Sequence, residues 1–163
     1  SVFEQQNIKI ELQENNVNEI IQTITENYSL KVHSKGGNLY TELHAHNAFV
    51  DIDEMHFANI IYNLLDNAIK YSGDNPVVEI SAYTRSGYTY ISIKDHGIGI
   101  PTGEHKRIFD KFYRVHTGNV HDVKGFGLGL AYVKQIVVAH KGSIRAESEP
   151  GVGTTFVIVL PLK

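Results

Sequence analysis

Asparagine is a mediocre helix former, yet in ANIIYNLLDNAIKYS (58–72) Asn63 and Asn67 stand one turn apart, with Lys70 next in line. At about 100° per residue these three gather in an arc of roughly 60° on one side of a helix. A side-chain amide oxygen is a hard, neutral ligand of the kind Mg²⁺ accepts, and a lysine ammonium is a point charge suited to phosphate. The same stripe also serves as a solvated helix surface, and the helix taken alone leaves both uses open.

In KDHGIGI (94–100), Asp95 closes a strand-like segment and is followed at once by Gly97 and Gly99. A carboxylate accepts and cannot donate. In a pocket it therefore favours adenine, whose exocyclic amine donates, over guanine, which offers an oxygen there. Glycines let backbone approach a planar base, although an aspartate followed by glycine is equally a common turn.

The third group is GFGLGL (125–130), placed directly before the helical pattern AYVKQIVVAH. Amides at a helix start are unpaired donors at the positive end of the helix dipole, which suits polyphosphate. Neither a Rossmann fingerprint nor a Walker loop fits. The preceding HTGNVHDVK is no strand, the spacing is GxGxG, and no Lys-Ser or Lys-Thr follows. Residues 101–127 set Lys106, Arg107, Lys111, Arg114 and Lys124 against Glu104, Asp110 and Asp122, with Phe109, Phe112 and Tyr113 interleaved. A cationic cover with aromatic anchors suits phosphoryl transfer over a nucleotide, and a partner-docking loop has the same composition.

The elements that position these groups are legible in outline. IKIEL (8–12) alternates as a strand, and Asn16 with Glu19 resembles a capping box. Val17, Ile20, Ile21, Ile24 and Tyr28 then share one helical face. NLYTELHA (38–45) and FVDI (49–52) read as strands, and Asp53 is placed to cap a helix over about 54–71. On that helix Phe57, Ile60, Ile61, Leu64, Leu65, Ala68 and Ile69 form the core side. VVEISAYT and YTYISIK flank Arg85-Ser86-Gly87 as a hairpin. SIRAESE and TTFVIVL flank residues 150–153 as a second one, preceded by a helix over 130–141. Hairpins beside helices predict an α+β two-layer sandwich. Its sheet is mixed and largely antiparallel, with about five strands covered on one face by about three helices.

At 163 residues, 42% hydrophobic and 20% charged, the chain fits one globular domain. Its net charge of −3 argues against a general nucleic-acid binder, and the absence of cysteine removes disulfides and thiolate chemistry. No apolar run approaches the roughly 18 residues of a membrane span, so no direct membrane insertion is expected. Ser1 does not begin a signal peptide. His44 and His46 share a strand face in principle, which leaves a zinc site conceivable.

Together the segments resemble the ATP-binding catalytic domain of sensor histidine kinases, within the Bergerat-fold ATPase group, over about residues 8–162. NIIYNLLDNAIKYS looks like that family's asparagine box and DHGIGI like its first glycine box. IFDKFYR looks like its phenylalanine box, GFGLGL like its second glycine box and GVGTTFVIVLP like its closing strand. The resemblance implies that Asn67 binds Mg²⁺, Asn63 supports metal and phosphates, and Lys70 and Arg114 contact phosphate. Tyr71 and Ile100 would line the pocket, Asp95 would take the adenine amine, and Gly97 and Gly99 would shape the base site. Gly125, Gly127, Leu128 and Gly129 would serve the hinge and phosphate approach, and Thr154 would sit near the base. Phe109 and Phe112 would anchor a lid spanning about 101–126, and residues 1–7 would be residual linker.

The implied activity is transfer of the ATP γ-phosphoryl group to a histidine on a separate dimerisation domain, for relay to a response-regulator aspartate. The family's ATP-hydrolysing members, such as DNA gyrase, carry a glutamate base where Asn63 stands, and an amide cannot take a proton from water. The remaining alternatives are a nucleotide-binding signalling module without kinase activity and a gyrase-type hydrolysing clamp. The family's phosphoacceptor pattern is not found around any of the nine histidines. The resemblance thus implies one domain of a larger homodimeric receptor, facing the cytoplasm at a bacterial inner membrane. His96 stands where the family usually has a small polar residue, and a titratable ring there would make nucleotide binding depend on pH.

Overall fold

The computed structural model describes residues 8–44, 47–111 and 129–163. Phe112, Tyr113, Arg114, Gly125, Gly127, Leu128 and His46 lie outside the described residues, as do the linker 1–7 and residues 112–126 of the expected lid.

Helix α1 (Val17–Ser34) begins where Asn16 Oδ1 accepts from the Asn18 amide at 3.0 Å. The cap forms at the expected residue. Val17, Ile20, Ile21, Ile24, Tyr28 and Val32 are buried along one side of the helix. Helix α2 (Glu54–Ser72) is capped by Asp53, whose Oδ1 accepts from His56 N at 3.0 Å. Its buried side is Phe57, Ile60, Ile61, Leu64, Leu65 and Ala68. Helix α3 (Gly129–Ala139) starts at the last glycine of GFGLGL. It stops because Lys141 takes a φ of 63° and Gly142 N turns back to Val137 O at 2.9 Å.

Seven strands form two sheets among the described residues. The small one pairs β1 (Gln13–Asn16) antiparallel with β3 (Phe49–Ile52). The large one runs β2 (Asn38–Leu43), β4 (Val77–Arg85), β5 (Tyr88–Asp95), β7 (Gly153–Pro161), β6 (Ser143–Glu149). Its β2–β4 pair is parallel and the others antiparallel. The inner row is Val78, Ile80 and Ala82 on β4, Ile91 and Ile93 on β5, and Phe156, Ile158 and Leu160 on β7. These meet the apolar sides of the three helices in one core, each large aliphatic or aromatic side chain contributing about 1.5–3 kcal/mol on burial. The fold is the predicted two-layer α+β arrangement, with a mixed sheet of five strands under three helices.

Two expectations are corrected. Residues 8–12 form no strand; Ile8 packs against the core and Glu11 N donates to Asp53 Oδ2 at 2.8 Å instead of to a ladder. The strand lies just after, in the polar QENN, because that is the stretch opposite Phe49–Ile52. The strand from residue 38 ends at Leu43 rather than at Ala45.

His140 ties the layers together. It is buried, its Nδ1 lies 2.7 Å from Ile136 O, and its Nε2 accepts from Asp53 N at 2.9 Å. One ring nitrogen donates and the other accepts, so the imidazole is the neutral Nδ1–H tautomer. Replacement by Phe leaves the Asp53 amide buried without a partner. His140→Phe is therefore expected to cost about 1–3 kcal/mol in urea unfolding, and an unchanged midpoint would show the bond to be worth nothing.

Candidate nucleotide site

The end of α2, the loop after β5 and the β6–β7 hairpin meet at one corner of the sandwich. Asp95, the last residue of β5, is only 5% exposed. Its Oδ1 accepts from Gly97 N at 2.9 Å and from Thr154 N at 3.2 Å. Its Oδ2 has no hydrogen-bond partner among the described residues. One oxygen is thus held by the loop after β5 and by β7, and the other remains an open acceptor.

Gly97 connects this carboxylate to the helix. A Cβ on Gly97 would overlap the Tyr71 carbonyl oxygen, and Ile98 N donates to that same oxygen at 3.2 Å. Gly99, at φ 76°, is packed as tightly against the Glu149 carbonyl. The side-chain-free faces of both glycines are therefore turned onto protein backbone. Their smallness joins the loop to α2 and to the hairpin, where the sequence reading had it admit a base.

Ile100 is buried and its amide donates to Ser148 Oγ at 2.7 Å. Ser148 Oγ also reaches Gly153 O at 2.9 Å and Thr154 Oγ1 at 2.8 Å. With the serine proton on Gly153 O, the Thr154 hydroxyl donates to Ser148 and keeps its lone pairs for another donor. Thr154 itself is 7% exposed. Ser148 is a residue the motif reading missed; its inward place on the alternating SIRAESE segment was the available signal.

On α2, Asn63 and Asn67 are half-buried and Lys70 is exposed, its Nζ 5.8 Å from the centroid of the Tyr71 ring. Asn63 Nδ2 donates to Asn59 O at 2.8 Å, while the Asn67 amide makes no hydrogen bond among the described residues. A Cβ on Gly129 would stand 3.3 Å from Asn63 Oδ1, so α3 begins directly beside the stripe. Of the residues the sequence singled out, Asn63, Asn67, Lys70, Tyr71, Asp95, Gly97, Gly99, Ile100, Gly129 and Thr154 are described. Contacts link Tyr71 to Gly97, Asp95 to Thr154, and Asn63 to Gly129.

Phe109, in a short 3₁₀ turn (Arg107–Phe109), is buried edge-on to Phe156 at 6.2 Å, with Lys134 Nζ 5.5 Å from its ring. It anchors this segment in the core. His96 turns outward and pairs with Glu79 at 3.1 Å, both near half exposed. His44 is exposed at 3.7 Å from Glu42, and no cluster of three or more metal-ligating side chains exists among the described residues.

Residues 52–163 match the family of histidine kinase-, DNA gyrase B- and HSP90-like ATPases, and the chain belongs to that family. It corresponds to the ATP-binding catalytic domain of sensor histidine kinases. The sensor protein RprX of Bacteroides fragilis (strain YCH46) is 49% identical over 164 residues, covering 99% of this chain and 32% of RprX. The sensor histidine kinase WalK of Bacillus subtilis (strain 168) is 41% identical over 117 residues, 71% of this chain and 19% of WalK. The chain thus spans about a third or less of these relatives' length. Among solved structures, the nucleotide-free catalytic domain of histidine kinase ThkA superposes with a TM-score of 0.81 at 25% identity, over 94% of this chain and 97% of that one. Full-length ShkA in complex with AMPPNP gives a TM-score of 0.82 at 26% identity, over 96% of this chain and 32% of ShkA. No helix among the described residues is long and apolar enough to cross a membrane.

Burial raises the pKa of Asp95, against the opposing pull of the Gly97 and Thr154 amides and of His96. A folded-state value above the unfolded one means that folding favours the protonated acid. That contribution is full below the ordinary carboxylate range and is lost as pH rises through the folded value. Asp95→Asn keeps an acceptor for both amides. It is expected to stabilise the ligand-free chain at neutral pH and to be near neutral in acid, as read by urea unfolding at the two pH values.

Proposed function

We propose that this domain holds Mg-ATP and presents its γ-phosphoryl group to a histidine on a dimerisation domain, from which a response-regulator aspartate takes it. The observation that carries the proposal is the open Oδ2 of the buried Asp95, joined through Gly97 and Ile98 to the end of the helix that bears Asn63, Asn67 and Lys70. The carboxylate accepts the adenine amine and discriminates against guanine. Thr154 and Ile100 sit at the same end of the sheet and complete the base side, and Tyr71 lines the pocket.

The unpartnered Asn67 amide fits a hard cation, and Asn63, Lys70 and Arg114 would contact the phosphates with it. Asn67, supported by Asn63, would hold Mg²⁺, which would supply neutralisation of phosphate charge there. Gly129 opens α3, and Gly125, Gly127 and Leu128 would join it in offering backbone amides to the phosphates. The kinase relatives and the AMPPNP complex of ShkA support this assignment. Asn63 cannot act as a base toward water, so the bound nucleotide awaits the imidazole nucleophile. The parent is read as a homodimeric receptor of a bacterial inner membrane with this domain in the cytoplasm.

Titration with a non-hydrolysable ATP analogue, with magnesium and with chelator, tests the assignment. Wild type is expected to bind in both conditions and more tightly with metal, and Asn67→Ala is expected to lose only the magnesium-dependent part. Unchanged magnesium dependence in Asn67→Ala would place the metal elsewhere. Substantial steady-state ATP hydrolysis by the chain alone would favour a hydrolysing clamp over a kinase domain. Because the adenine amine needs the ionised carboxylate, affinity is also expected to fall as pH drops through the raised pKa of Asp95. An Asp95→Asn chain should be weaker at neutral pH and lack this acid limb.

A further inference from the structure

The first turn of α3 is fixed to α2 by a hydrogen-bond chain that lies beside the nucleotide site. Tyr132, three residues after Gly129, is half-buried on α3. Its hydroxyl lies 2.8 Å from His56 Nδ1. The His56 backbone is itself held, its amide donating to Asp53 Oδ1 at 3.0 Å. Burial raises the Tyr132 pKa against the opposing pull of Asn59, with the Asp53 charge acting in the same direction as burial, so the phenol keeps its proton. That proton is available to His56 Nδ1.

Asn59 is one turn before Asn63 and extends the same stripe, giving asparagines at 59, 63 and 67. Its carbonyl accepts from Asn63 Nδ2 at 2.8 Å. Asn63 Oδ1 in turn borders Gly129, at 3.3 Å from where a Cβ would stand. The contacts therefore close a ring: Tyr132 to His56, His56 to Asn63 through two turns of α2, Asn63 to Gly129, and Gly129 back to Tyr132 through one helical turn. A shift of α3 along α2 breaks at least one member of this ring.

We propose that Tyr132 is a positioning residue for the polyphosphate. By holding the α3 start against α2 through His56, beside Asn63, it makes the helix-start amides and the Asn67 amide address the same phosphates. The proposal rests on the Mg-ATP assignment above and adds a residue that touches neither nucleotide nor metal. Its signature is selective. The base side, built on Asp95 and Thr154, belongs to the sheet and does not depend on the ring, whereas the metal and phosphate side does.

The test is titration of the wild-type chain, Tyr132→Phe and His56→Ala with a non-hydrolysable ATP analogue, in magnesium and in chelator. Tyr132→Phe is expected to weaken binding in magnesium by about tenfold, the worth of a lost hydrogen bond, with little change in chelator. His56→Ala, which leaves the Tyr132 ring in place, is expected to show the same selective loss. In an Asn63→Ala background Tyr132→Phe should have no further effect, because its influence passes through that residue. Equal losses with and without metal would mark a general structural role and overturn the proposal, as would unchanged affinity in both variants. Failure of wild type to bind the analogue would remove the Mg-ATP assignment and this proposal with it. Equal binding by wild type and both variants would overturn this proposal alone.

Discussion

The contact between the end of α2 and the loop after β5 is the constraint on which the site depends. The last carbonyls of a helix have no intrahelical donor, and Ile98 N supplies one to Tyr71 O. The approach is possible only because residue 97 has no side chain to overlap that oxygen. Ile98 O then accepts from Gly151 N at 2.8 Å, and Ser148 Oγ gathers Ile100, Gly153 and Thr154. One short loop thus joins helix, central strand and closing hairpin. The carboxylate that precedes it has little freedom to turn away from the helix end.

Two aspartates at element ends show how environment separates structural from ligand-binding carboxylates. Burial alone would raise Asp53, but the amides of Glu11 and His56, with a lesser electrostatic pull from the His56 and His140 rings, outweigh it and hold its pKa low. Both Asp53 oxygens are occupied, one by each amide, and its own N–H is taken by His140. Asp95 has amides on one oxygen only, and burial prevails. The first is saturated and stabilises the fold at neutral pH. The second is held at a cost to the empty protein, as expected of a group kept for a ligand.

Local signals carried far along this chain. Asn16 and Asp53 are caps as their types suggested, both hairpins form, and the sides of α1 and α2 that periodicity assigned to the core are buried. The alternation of residues 8–12 misled because it reports which side chains turn inward and says nothing of a pairing partner; the polar stretch beside it was the one facing β3. Ser148 and Tyr132 were passed over because a serine on a strand and a tyrosine on an aliphatic helix look like ordinary members of their elements. Their importance appears only through partners far away in sequence, Ile100 for one and His56 for the other.

By itself the sequence determined the elements, the amide-bearing stripe of α2, the acid at the end of β5 and the family to which their order belongs. These follow from interactions within a few residues, where helix and strand periods and capping chemistry act. Only the tertiary structure decided which oxygen of Asp95 is spent and which is open, that Gly97 and Gly99 pack on backbone, and that Asn63 meets the start of α3. Those depend on atoms brought within a few ångströms by the folding of distant segments, and no local pattern encodes such a distance.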